Sequence, residues 1–261
     1  MNMRRAVLVV GILLLAGCTG RGDEDPAPTT TPGRPALEPL ESLTWSGTDC
    51  AEIGLFIRVP AANVRPFVHK NFTITEAQGQ ATLAVGFARC VMATVLENQT
   101  NNLVISDVAV FIEDPEGGPA PAFYQFWHAS NRAATFENMS RVGLRTQEAP
   151  NSNFLTFGLV QATLAESRIA SNEGEYSAQA TSVPGSAAIP ARSFRWWHAS
   201  DANGTLYTDF TLGYKSAGPA RGNVTAESGS DLARMFGETT VEGEGVFWTF
   251  DLTTTSRRTT P

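Results

Sequence analysis

The chain is short of lysine, histidine and cysteine, and each shortage closes off some chemistry. Lysine stands only at Lys70 and Lys215, isolated from one another, so amine catalysis has almost no material to work with. The three histidines, His69, His128 and His198, show no HxH or HxxxH spacing, so the sequence predicts no metal site and no cofactor. No Gly-x-Ser-x-Gly elbow occurs, which removes the commonest serine-hydrolase arrangement. Net charge is −7 and no basic cluster is present, which argues against a nucleic-acid partner, because such binding depends on neutralising phosphates. No apolar run approaches the roughly 20 residues that a spanning helix needs.

What is present at the start points to export. Arg4 and Arg5 precede a short apolar run, Ala6 to Leu15, and small residues follow. Leu15-Ala16-Gly17-Cys18 resembles the lipobox of prokaryotic lipoproteins. The resemblance implies a signal peptide over 1–17, cleavage before Cys18 and lipidation of Cys18. Residues 18–39 are rich in Pro, Thr and charge, and are predicted to be an unfolded tether. Each buried lipid methylene contributes about 0.8 kcal/mol, so acyl chains on Cys18 would hold the chain to membrane lipid, on the cell membrane or outer membrane, facing away from the cytoplasm. An exported chain with two further cysteines, Cys50 and Cys90, predicts one disulfide.

Residues 40–257 are expected to form a single body. Alternating patterns mark strands at 51–59, 81–96, 104–113, 154–169, 175–182, 206–214 and 246–254. Ser130 or Asn131 can cap a helix running to Arg141 and ended by Gly143, and Ser230 to Gly237 reads as a shorter capped helix. Ala61 to His69 suits a turn or two of helix. The class is mainly β with minor α, an antiparallel closed barrel or double-cone sheet. Phe126-Trp127-His128-Ala129-Ser130 echoes Trp196-Trp197-His198-Ala199-Ser200, so duplication into two halves is one reading and shared strand composition is the other.

The echoed unit also supplies the clearest chemical groups. On a strand, Trp127 and His128 face opposite ways, as do Trp197 and His198. His128 and His198 facing inward would meet as an acid–base pair; facing elsewhere they are structural imidazoles. Glu113 and Asp209 are candidate carboxylates, and Glu242 and Glu244, alternating with Gly243 and Gly245, form a further pair. Candidate walls for an apolar cavity are Phe87, Phe111, Phe126, Trp127, Phe157, Trp196, Trp197 and Trp248.

Phe56-Ile57-Arg58-Val59-Pro60-Ala61-Ala62-Asn63-Val64-Arg65-Pro66-Phe67-Val68, then Phe72-Thr73-Ile74 and Gly79 to Val85, resembles the opening of acetoacetate decarboxylase-like domains. Gly229 to Gly237 is similar to a short helix late in those domains. The resemblance implies a double-cone β fold around a largely apolar cavity. It departs at His69-Lys70-Asn71-Phe72, where the family usually has Pro-x-Gly-Phe, and at the catalytic lysine pair, for which there is no counterpart. The first expectation is therefore a lipid-anchored protein that binds a small, mostly apolar ligand without Schiff-base catalysis. The alternative is an enzyme of the acetoacetate decarboxylase-like superfamily, a lyase or hydrolase using histidine and carboxylate groups. A structural surface module is the third reading. The sequence leaves oligomeric state open.

Overall fold

A computed structural model describes residues 38–118, 121–158, 163–171, 173–183, 193–200 and 204–259. Cys18 and the segments on either side of it lie outside the described residues. The strands are β1 (Ser42–Pro60), β2 (Glu76–Ala77), β3 (Gln80–Val95), β4 (Asn98–Ile112), β5 (Ala122–Ser130), β6 (Thr146–Glu148), β7 (Asn153–Gly158), β8 (Thr163–Ser171), β9 (Gly174–Ser182), β10 (Ser193–Ser200), β11 (Gly204–Ala226) and β12 (Thr240–Arg258). The helices are α1 (Ala61–Val64), followed by a 3-10 turn, α2 (Ala133–Val142) and α3 (Asp231–Phe236).

Pairing runs β10-β5-β4-β3-β1-β12-β11, and β11 pairs back onto β10, which closes a seven-stranded ring. The expectation of a mainly β, closed sheet is met. All pairs in the ring are antiparallel except β5 with β10, which lie side by side in parallel. These are the two echoed strands, so they are neighbours in one ring. The second half of β11 leaves the ring and pairs with β9, and β8 and β7 continue the sheet. Two cores result. One fills the ring, with Trp45, Ile105, Phe210, Phe250 and Leu252. The other lies on the opposite face of β1 and β3, where Ile53, Leu55, Ile57, Leu83, Val85 and Phe87 meet β7–β9 and helices α1 and α3.

A bulge decides which residues of β1 enter the ring. Leu43 and Trp45 point inward, and one extra residue between Gly47 and Cys50 shifts the register against β12. With a side-chain period of two, a single inserted residue swaps the faces. Beyond the bulge, therefore, Cys50, Glu52, Gly54 and Phe56 face the ring, while Ile53, Leu55 and Ile57 face the second core. Asp49 takes the positive φ of the bulge, 49°. Its backbone N–H donates to Asp251 Oδ1 at 2.9 Å, and Lys215 Nζ reaches Asp49 Oδ1 at 2.6 Å and Asp251 Oδ1 at 2.8 Å.

Cys50 and Cys90 are directly opposed on β1 and β3 and form a disulfide across a separation of 40 residues. Closing a loop of that length stabilises by about 3–4 kcal/mol in the chain-entropy picture. Gly47 makes room for it: a Cβ there would sit 2.7 Å from Cys90 Sγ and 2.8 Å from Cys50 Sγ.

The short helices follow their caps. The Ser230 side chain accepts the Ala233 N–H at 3.2 Å, and Gly237 ends α3 in the left-handed region. Gly143 ends α2 the same way, but its start differs from expectation. Arg132 is the capping position, because the Ser130 hydroxyl stays on the strand end, accepting the Arg132 N–H, while Asn131 Oδ1 accepts the Val104 N–H of β4. The long pattern at 154–169 falls on two strands, β7 and β8, and the Asn-rich stretch at 98–102 is part of β4 itself.

Candidate active site

Each inward strand contributes a side chain to the interior of the ring. From β1 come Glu52, Gly54 and Phe56; from β3, Ala84 and Gly86; from β4, Asp107 and Phe111; from β5, Phe123; from β10, Phe194 and Trp196; from β12, Trp248. All of these but Asp107 line a half-open cavity of about 230 Å³ in which Glu52 is the only ionisable wall residue among the described residues. The aromatic rings pack on one another, tilted or stacked. Phe111 and Phe123 centroids are 4.3 Å apart, Phe123 and Trp196 5.7 Å, and Phe194 stacks on Phe210 at 4.9 Å. On the far side of Glu52 a smaller space of about 30 Å³ is bounded by Asp107. That is room enough to hold a water molecule.

Glu52 sits where two glycines meet. Gly54 and Gly86 are cross-strand partners, and a Cβ on Gly86 would come within 2.8 Å of Glu52 Oε1. By exposed area Glu52 is only half-buried, because its carboxyl lines the cavity, yet protein surrounds it as densely as an interior group. Burial pushes its pKa up to about 8; the Trp248 indole pulls it down somewhat, and the Asp107 charge pushes it up. The indole Nε1 nonetheless lacks a formed hydrogen bond, so its effect on Glu52 is that of a nearby dipole. At neutral pH Glu52 is thus mostly a carboxylic acid, able to donate a proton inside an apolar chamber.

Asp107 is held by two neighbours on β5. Gln125 Nε2 donates to its Oδ1 at 2.6 Å, and His128 Nδ1 lies 2.8 Å from the same oxygen. A carboxylate oxygen accepts, so the His128 proton sits on Nδ1, and the buried Nε2 has no protein partner. His198 Nδ1 lies 3.0 Å from the Gln125 carbonyl and therefore donates to it. Its ring stacks on Tyr124, and burial lowers its pKa, so it stays neutral. The two histidines do not touch in a shared cavity. They are joined through Gln125, one by its side chain and Asp107, the other by its backbone.

The remaining expected site residues scatter. Glu113 is exposed at the end of β4. Asp209 lies outside the ring, bound to Arg195 Nε at 2.6 Å, and Arg195 also pairs with Glu116 and covers the Tyr207 ring. Of the expected wall residues, Phe111, Trp196 and Trp248 line the cavity. Phe87, Phe126, Trp127 and Trp197 instead pack in the second core. A bulge between Val108 and Ala109 explains one pair: Phe126 is the extra residue on β5, so it and Trp127 both leave the ring. Phe157 belongs to β7, and its side chain lies outside the described residues. Lys215 is on the exposed bulge clamp, where Asp251 and Asp49 raise its pKa, the opposite of what an amine nucleophile requires. Among the described residues, no three His, Cys, Asp or Glu side chains cluster as a metal site.

Glu52, Asp107 and Gln125 did not emerge from sequence reading. The signal for the first two was there: each is a lone carboxylate in an otherwise apolar strand, Ala51-Glu52-Ile53 and Ser106-Asp107-Val108. A local break of pattern of this kind is where function is expected.

The closed ring with a second core is the fold of acetoacetate decarboxylase-like proteins. The chain superposes on the enduracididine biosynthesis enzyme MppR in complex with pyruvate, with a TM-score of 0.61 and 12% identity over 84% of this chain and 89% of that one. An acetoacetate decarboxylase-like enzyme from Sphingomonas wittichii RW1 gives 0.59 at 8% identity, covering 83% and 91%. Acetoacetate decarboxylase from Legionella pneumophila subsp. pneumophila str. Philadelphia 1 gives 0.57 at 11% identity, covering 85% and 90%. No protein-family model and no curated protein sequence matches the chain. At such identities the fold is what is shared. These three solved chains are named as enzymes, which overturns the expectation of a non-catalytic binding protein and favours the alternative, an enzyme.

Proposed function

We propose that this chain is an enzyme, a lyase or hydrolase that moves protons on a small carbonyl substrate inside the ring. The observation that carries this reading is a carboxylic acid, Glu52, in an apolar chamber beside the Asp107–His128 pair. A neutral Glu52 donates to the carbonyl oxygen. Asp107, steadied by His128 and Gln125, is the base, and the proton from the carbon next to that carbonyl reaches it through a water in the small space that Asp107 shares with Glu52. The substrate C–H bond and the Glu52 O–H bond break, an enol O–H bond and an Asp107 O–H bond form, and the ketone becomes an enol. A buried carboxylic acid beside a hydrogen-bonded carboxylate is the usual division of acid and base roles. Neither lysine takes part. MppR is solved with pyruvate, a carbonyl compound, which supports carbonyl chemistry and leaves the charge of the substrate open.

The test is exchange of the carbon-bound protons of acetophenone and of pyruvate in deuterated water, followed by NMR. The full chain should exchange at least one of them well above the buffer rate. Glu52→Gln keeps the size and the donor but cannot give up a proton, and should lower the rate by about 10²–10⁴-fold. A full chain that exchanges neither and turns over neither would remove the enzyme reading.

We propose in addition that Cys18 carries acyl chains and that the folded body stands outside the cytoplasm. Support comes from the lipobox-like residues, the Pro/Thr-rich stretch after them, and a disulfide at the two remaining cysteines. Cys18→Ser, expressed in a bacterial host, should shift the chain from the membrane fraction to the soluble one. Retention in the membrane at unchanged size would disprove the anchor.

A further inference from the structure

We infer that the substrate is an uncharged, flat carbonyl compound, such as an aryl ketone or an aryl ester, and not a small oxo acid. This deepens the enzyme reading and rests on it for the word substrate, but the inference itself concerns what the cavity accepts.

Charge decides first. No lysine or arginine lines the cavity among the described residues. A carboxylate taken out of water without a cation is far costlier than a neutral polar group, and the Asp107 charge on the other side of Glu52 adds repulsion. Arg58 shares the inward face of β1, but it lies about 20 Å further along the strand at roughly 3.3 Å per residue. In a small oxo acid the carboxylate is within a bond or two of the carbonyl. Such a molecule cannot place its carbonyl at Glu52 and its charge at Arg58.

Hydrogen bonding points the same way. The walls carry donors: the Glu52 carboxylic acid lines the cavity, and the indole N–H groups of two wall residues, Trp196 and Trp248, are buried with no hydrogen-bond partner among the described residues. An unpaired buried donor costs about 1–3 kcal/mol, so a ligand that brings acceptor oxygens and no donors of its own suits these walls.

Shape and size complete the class. The facing glycines Gly54 and Gly86 leave the floor beside Glu52 without side chains, and the rings of Phe56, Phe111, Phe123 and Trp248 form the sides. A cavity of about 150 Å³ takes benzene, so this one takes a molecule of roughly nine or ten heavy atoms. Acetophenone has that size, and its ring can stack on the walls in the offset or edge-on arrangements that aromatic groups prefer.

The experiment titrates the full chain at pH 7 with acetophenone, methyl pyruvate and pyruvate, following the fluorescence of the tryptophans and, independently, the heat of binding. The ester and the acid share the same carbonyl and differ in charge. Acetophenone and the ester should each bind at least tenfold more tightly than the acid. Glu52→Gln, neutral and still a donor, should keep that order. Gly86→Ala, which fills the floor, should weaken acetophenone binding by tenfold or more; Trp248→Phe, a milder change, should weaken it and reduce the fluorescence response. Pyruvate binding as tightly as its ester, or no binding of either neutral compound, would overturn the inference. Neutral compounds that bind in the expected order without any proton exchange would leave it standing and count against the enzyme reading alone. An acid that binds tightly and exchanges would do the reverse.

Discussion

Glu52→Gln is expected to make the protein markedly more stable in mildly alkaline solution while removing its activity. The sign follows from the proton. An ordinary glutamate titrates near 4.5, and in the folded chain burial moves Glu52 to about 8. Below the first value both folded and unfolded chains carry the proton, and the stability that the raised pKa contributes is fully present. As pH rises from there, the unfolded chain gives up its proton and the folded chain keeps it. Stability then falls by about 1.4 kcal/mol per pH unit until the folded carboxyl itself ionises near pH 8. The full loss is on the order of 5 kcal/mol between pH 4 and pH 9. Glutamine carries no such proton, so its curve lacks this component.

The groups facing Glu52 set the size of the effect. Asp107 on β4 repels the ionised form, and Tyr214 on β11 has its own pKa raised by burial and then by the Glu52 charge. Among the described residues β3 and β10 bring no further titratable group, only apolar residues such as Ala88, Phe194 and Trp196, Gly86 and the disulfide-bonded Cys90, and β12 brings the Trp248 indole. At about 2–4 °C per kcal/mol for a body of this size, the variant should melt about 10 °C or more above the parent at pH 9 and close to it at pH 4. Thermal unfolding with the disulfide intact, at four pH values across that range, measures this. Parallel curves for the two proteins would mean that Glu52 titrates normally and that the cavity is wet. A residue whose removal stabilises the fold while abolishing turnover is the pattern expected when a site is built at the expense of stability.

The ring was legible in the sequence because strand alternation survives at its interior, as in Ala81 to Leu96 and Val246 to Thr254. The cysteine pair was legible from number and compartment. The echoed aromatic-Trp-His-Ala-Ser units marked β5 and β10 and so led to His128. The site was harder to read, because which face of a strand enters the ring is decided by bulges. Period two shows that Trp196 and Trp197 point opposite ways, but not that Trp196 faces the cavity while Trp197 packs against Phe72 and Tyr207. In β1 the extra residue before Cys50 turns Glu52 inward, and nothing in Gly47-Thr48-Asp49 announces that shift except the tolerance of Gly and Asp for unusual backbone. Asp209 illustrates the converse. It sits on a clean alternating strand, two residues from Tyr207, and its face is the outer one, where Arg195 holds it.

Gly245→Ala should cost more than about 4 kcal/mol, among the largest effects of any single methyl group in this chain. Glu242-Gly243-Glu244-Gly245 reads in sequence as an alternating pair of carboxylates, yet both acids are exposed, and Glu244 merely pairs with Arg221 at 2.9 Å on the surface. The constraint lies in the glycines. A Cβ at Gly245 would sit far inside van der Waals contact with the Gly54 carbonyl oxygen, 2.8 Å from the Gly54 carbonyl carbon and 3.0 Å from Leu55 Cα. Each of these atoms belongs to backbone, so no side-chain rotation relieves them. Gly245 pairs with Leu55 on β1 and Ala220 on β11, so β12 cannot withdraw from one neighbour without straining against the other. At Gly243 the same methyl meets Ile57 Cγ1 at 3.1 Å and the Phe56 carbonyl oxygen at 3.2 Å, where small shifts suffice. Gly243→Ala should therefore cost about 1–2 kcal/mol, in the ordinary range for a tight but adjustable position. The two variants differ also in what they do to the site. Pushing on Gly54 moves the floor beside Glu52, so any Gly245→Ala protein that still folds should bind acetophenone more weakly than the Gly243→Ala protein does. Denaturant unfolding of the two variants beside the parent decides the matter: equal midpoints for Gly245→Ala and the parent would show that β1 and β12 are not as close as the fold places them, and the cavity built on Gly54 would fall with that conclusion.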